Sequence, residues 1–124
     1  MATNFGLETL VDAAHRDLAA GRWWRLSLAE QLGNIGSEVS RAERWKTRNP
    51  EMSRGALFRA LELFDLTLGD SRRRASRARL REIARAREVV VDYFFGSNQY
   101  RSSGASLLKY FDAFALLARR QPPH

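Results

Sequence analysis

Cysteine is absent from the 124 residues, which rules out disulfide staples and thiolate metal sites and fits a reducing compartment. Proline occurs only at Pro50, Pro122 and Pro123, so long stretches lack the strongest helix breaker. Histidine is limited to His15 and His124, and lysine to Lys46 and Lys109. No apolar run approaches the roughly 20 residues needed to span a bilayer. The first 21 residues carry acids and no continuous apolar segment, unlike a signal peptide, and the expectation is a cytoplasmic protein.

What remains is rich in helix formers and in arginine. The chain is 44% hydrophobic and 28% charged, close to soluble globular averages, and its length suits one domain. Net charge is +7, carried almost wholly by arginine, whose planar fork suits phosphates and carboxylates. That balance points to a polyanion partner such as RNA or DNA. The alternative is a genome-wide preference for arginine over lysine, so the distribution along the chain has to decide.

Apolar residues recur at three- and four-residue steps in five segments, which predicts an all-α protein. The first runs from about Leu7 to Ala20, with Leu7, Leu10, Val11, Ala14 and Leu18 on one face and Gly21 as its stop. The second begins near Ser27, where Ser27 and Glu30 have capping-box spacing, and carries Leu28, Leu32, Ile35, Val39, Ala42 and Trp45. Gly33 and Gly36 lie inside it, each costing roughly 1 kcal/mol against alanine, which implies close approach of a neighbouring helix. The third starts at Pro50 behind Asn49 as cap. Its broad stripe of Leu57, Ala60, Leu61, Phe64 and Leu68 marks it as central, and Gly69-Asp70-Ser71 closes it. The fourth is read as one helix from Ser71 to Phe95, polar at first and apolar from Ile83. The run Val89 to Phe95 has strand propensity, but no partner strand exists elsewhere. The fifth covers Ala105 to Arg119. Short connections favour antiparallel neighbours. The expected architecture is therefore an antiparallel four-helix bundle over residues 23–120, an added N-terminal helix or arm over 1–22, and a disordered tail over 121–124.

Catalytic patterns fail one by one. Glu38, Glu62, Asp65, Glu88, Asp92 and Asp112 fall on four helical segments, but a di-iron bundle also needs Glu-x-x-His pairs, and neither histidine follows a glutamate at that spacing. Asp65 and Asp92, beside Phe64 and Tyr93, need donors, for which Arg41, Arg44, Arg59 and Arg85 are candidates. No Gly-x-Ser-x-Gly elbow or phosphate loop is present. Arg119 and His124 match the arginine-histidine spacing of a HEPN-type ribonuclease, but Pro122 and Pro123 break any helix between them. The reading is no enzyme, no metal and no cofactor, with a toxin-like ribonuclease as the weakest option.

The strongest local feature is basic. Arg72, Arg73, Arg74, Arg77, Arg79, Arg81, Arg85 and Arg87 crowd sixteen positions. On a helix Arg74, Arg77, Arg81 and Arg85 form one ridge. Like charges at this spacing repel by a few tenths of a kcal/mol per pair, so the cluster needs a benefit or neutralising acids. The candidate phosphate contacts are Arg72, Arg73, Arg74, Arg77, Arg81 and Arg85. The competing reading is a solvated face paired with Glu62 and other acids. Trp23, Trp24 and Trp45 bracket the second segment and are candidates for a core cap or an oligomer interface, ahead of base stacking.

Ser27 to Val39 (SLAEQLGNIGSEV) and Arg87 to Gly96 (REVVVDYFFG), with Ala60 to Thr67 and Lys109-Tyr110-Phe111, resemble a family of short bacterial four-helix-bundle proteins without an established activity. At fold level the chain is similar to the accessory variability proteins of diversity-generating retroelements and to proteins encoded in ribosomal RNA intervening sequences. The resemblance implies a ring-shaped homo-oligomer that binds nucleic acid and, in the retroelement case, a reverse transcriptase. The rival expectation is a protein-interaction adaptor that docks on an acidic protein surface.

Overall fold

A computed structural model of the chain describes residues 20–120, which are helical apart from turns and connections. Helix α1 spans Leu28–Trp45, α2 Pro50–Leu68, α3 Arg77–Phe95 and α4 Gly104–Arg120, with a 3-10 turn at Ser71–Ala75 between α2 and α3. Residues 20–23 are also helical. The expected first helix from Leu7, the tail, His15 and His124 lie outside the described residues. No helix among those described is long and apolar enough to cross a membrane.

Local chemistry sets the helix ends. The Ser27 hydroxyl accepts from the Glu30 amide, and the Glu30 carboxylate accepts from the Ser27 amide, completing the capping box. The Asn49 side chain caps α2 by accepting from the Met52 amide, and Pro50 takes the first helical position. Val89 to Phe95 is α-helical, as the lack of a partner strand required.

One element departs from expectation. The stretch from Ser71 to Phe95 is two pieces rather than one helix. Asp70 accepts from the Arg72 amide and starts the tight 3-10 turn. Ser76 then adopts an extended conformation, and its side chain caps α3 by accepting from the Arg79 amide. These two side chains reward the break in the helix.

The core gathers Leu32, Ile35 and Val39 of α1, Leu57, Ala60 and Phe64 of α2, Ile83 and Val90 of α3, and Leu107 and Phe111 of α4. The broad stripe of α2 suggested that it is the centre. The closest packing is instead around α1, which meets both α2 and α4, while α3 packs mainly on α2 and stands further from α4. The two glycines explain this. A Cβ on Gly36 would run into the Phe111 side chain, and one on Gly33 would lie 3.2 Å from the Ala115 Cα. Seating α4 on this flat face draws it toward α1.

The glycines of α1 and α2 should therefore respond oppositely to alanine. Gly36→Ala gains about 1 kcal/mol in helix propensity but displaces a buried phenylalanine, for an expected net loss of about 2 kcal/mol. Gly55→Ala meets only the end of the Arg59 side chain at 3.7 Å and should stabilise by about 0.5–1 kcal/mol. Urea unfolding of the two variants checks both signs.

Candidate nucleic-acid interface

The eight clustered arginines divide according to the acids that the fold brings near them. Asp70, 2% exposed, organises the first group. Arg72 donates to its carboxylate through Nε at 3.0 Å and Nη2 at 2.6 Å, and Nη2 also reaches the Leu26 carbonyl at 2.6 Å. The Arg73 guanidinium lies 3.6 Å from Asp70, and its side chain is only 11% exposed. The Gln31 amide donates to Asp70 at 3.0 Å and to the Trp23 carbonyl at 3.1 Å. Trp23 in turn donates to Thr67 Oγ1 at 2.9 Å.

This node fixes its own electrostatics. The Arg72 hydrogen bond, aided by that of Gln31 and opposed by burial, holds the Asp70 carboxyl down at about 2. Arg72 shifts upward through the same hydrogen bond. Arg73 shifts downward because burial and the nearby Arg72 and Arg79 charges outweigh the attraction of Asp70. Arg72, whose side chain is still 44% exposed, and Arg73 are thus drawn into ion pairs with an acid that the sequence marked only as a helix stop.

Two more arginines are neutralised on the surface. Arg79 pairs with Glu82 at 3.0 Å, and Arg87 with Asp65 at 3.0 Å. Arg87 therefore supplies the partner of Asp65, in place of Arg41, Arg44, Arg59 or Arg85. Asp92 takes no arginine among the described residues; it accepts from the Gln99 and Tyr100 amides at 2.8 and 3.0 Å and shapes the loop after α3.

Arg74, Arg77, Arg81 and Arg85 are exposed, and none has an ion-pair or side-chain hydrogen-bond partner among the described residues. Arg77, Arg81 and Arg85 follow one another at four-residue steps of α3, each about 6 Å along the axis. They lie across the helix from Ile83 and Val90, which are buried. Arg74 precedes them in the 3-10 turn.

The three tryptophans differ in their placement. Trp23 is buried inside this chain and caps the core. Trp24 remains 43% exposed, with its indole donating to the Leu66 carbonyl at 2.8 Å. Trp45 is half-buried at the far end of α1. The fold does not gather them into one surface. Phe58 of α2 and Phe95 of α3 form an exposed aromatic pair, ring centroids 6.1 Å apart.

Between α3 and α4 lies an open groove of about 270 Å³. Ala86, Val89, Leu107, Tyr110 and Phe111 form its walls, and Arg85, Glu82, Ser102 and Ser106 its edges. The Tyr110 hydroxyl donates to Glu82 at 3.5 Å, and burial with the Glu82 charge pushes its pKa up to about 12. No group of three histidine, aspartate or glutamate side chains that could hold a metal occurs among the described residues.

The depressed Asp70 pKa carries a definite sign. The group is more acidic folded than unfolded, so its stabilisation is complete above about pH 4 and disappears as pH falls toward 2. The loss amounts to roughly 2 kcal/mol. Asp70→Asn should cost about 3 kcal/mol at pH 7 by leaving Arg72 and Arg73 without their counter-charge. It should also flatten the fall in stability between pH 4 and 2, as read from urea midpoints across that range.

Comparison with protein-family models, curated proteins and solved structures finds no match for this chain.

Proposed function

We propose that this chain is a non-enzymatic, self-associating helical-bundle protein of the cytoplasm that binds nucleic acid through the exposed arginine ridge of α3. The arrangement proposed is an antiparallel four-helix bundle with an added N-terminal helix. One observation carries the binding reading. Of eight clustered arginines, Arg72, Arg73, Arg79 and Arg87 have acidic partners. Arg74, Arg77, Arg81 and Arg85 stay solvent-exposed with none among the described residues. Glu82 and Asp65 are engaged by Arg79 and Arg87, and among the described residues no acid pairs with the ridge, so its mutual repulsion is left standing. An external polyanion relieves it, and each phosphate contact releases condensed counterions. The resemblance to retroelement accessory proteins adds a reverse transcriptase as a protein partner for the same bundle.

A second reading, a protein-binding adaptor, is favoured by the exposed Phe58–Phe95 pair, since exposed aromatics are enriched at protein interfaces. Retention on heparin and co-purification with nucleic acid separate the two, because an aromatic docking patch requires neither.

Replacing Arg77, Arg81 and Arg85 together by glutamine should leave the helical circular-dichroism spectrum intact and weaken oligonucleotide binding. The slope of log affinity against log salt should flatten by about 2 units, at roughly 0.7 to 0.9 per lost phosphate contact. An unchanged slope removes the ridge from the proposal.

A further inference from the structure

Arg85 belongs to two features at once. It continues the exposed series Arg77, Arg81, Arg85 on α3, and it stands at the edge of the groove between α3 and α4. The groove walls beside it are Ala86, Val89, Leu107 and the ring of Tyr110, with Ser102 as a polar edge. An apolar slot with a few polar groups at its mouth is the usual form of a site for a flat organic group. This one is smaller than the roughly 300–1,000 Å³ of drug-sized ligand sites.

We propose that the groove seats one unstacked base of a single-stranded nucleic acid whose phosphates lie along Arg77, Arg81 and Arg85. The inference rests on the ridge as a phosphate-contact surface and adds which form of nucleic acid it takes. Charge complementarity selects the occupant: whatever enters beside Arg85 is attached to something anionic, and the cationic series leads away from the groove mouth in one direction. A base offers a flat apolar face to the Tyr110 ring, and such stacking is tolerant of sequence. A duplex cannot deliver that face, because its bases are paired and stacked inside the helix; single strands splay theirs out. The one acid among the groove's lining residues, Glu82, pairs with Arg79 at 3.0 Å, which lessens its repulsion of the neighbouring phosphate.

The test uses the full chain and fluorescence anisotropy with three probes: a 12-nucleotide RNA, the DNA of the same sequence, and the corresponding DNA duplex. The wild type should bind at least one of the single strands about tenfold or more tightly than the duplex. Ala86→Leu, filling the groove from α3, and Ser102→Leu, adding bulk to its lining from the loop before α4, should each abolish most of that preference. Both should keep the wild-type salt slope and the wild-type melting temperature within a few degrees. Equal binding of single strands and duplex overturns the base seat while leaving the ridge standing. So does a single-strand preference untouched in both folded variants, which is the outcome expected if the groove receives an apolar protein side chain. Absence of salt-dependent binding to all three probes removes the ridge, and the base seat with it.

Discussion

The buried carboxylate of Asp70 is the constraint on which the rest of the architecture depends. It ends the α2 region, starts the 3-10 turn through the Arg72 amide, and receives the Gln31 amide from α1 and two guanidinium groups from its own turn. Through Gln31 and Trp23 the same node reaches Thr67 of α2. A charge so far from solvent is tolerable only when donors surround it. Four parts of the chain are thereby held in one geometry: the segment around Trp23, the start of α1, the end of α2 and the turn into α3.

That node also sorts the arginines. Had Ser71 to Phe95 continued as one helix, Arg72, Arg73 and Arg74 would have stayed in register with the arginines that follow. The turn at Asp70 and the extended Ser76 separate them, drawing Arg72 and Arg73 toward the core end while α3 restarts with Arg77, Arg81 and Arg85 facing outward. A second geometric fact shapes the surface next to them. Gly33 and Gly36 let α4 sink onto α1, and α3, which packs mainly on α2, does not follow. The open seam that results is the groove beside Arg85.

Much of the scaffold was legible in the residues. Ser27 with Glu30, and Asn49 with Pro50, encode helix starts through contacts three residues long, which need no knowledge of the rest of the chain. Gly33 and Gly36 were readable as a place of close approach, though not as a seat for Phe111. Less of the surface was legible. Asp70 looked like one more turn acid, because its burial comes from Gln31 and Trp23, 39 residues or more away in sequence. Arg87 as the partner of Asp65 was hidden for the same reason: the ion pair joins positions 22 apart on two helices. The tryptophans look alike in sequence, yet one is buried, one is exposed and one lies between.

Sequence alone determined where apolar residues recur and which polar side chains cap their own helix ends, so the helical class and most helix boundaries followed from contacts within a few residues. It also determined that a high density of arginine would fall between α2 and the apolar half of α3. Only the tertiary structure decided which of those arginines keep no acidic partner among the described residues. An ion pair depends on which acids distant segments bring within about 4 Å, and the cost of a buried charge depends on the donors packed around it. Neither quantity is written in local spacing. Both are set when α1, α2 and the turn after Gly69 close upon Asp70.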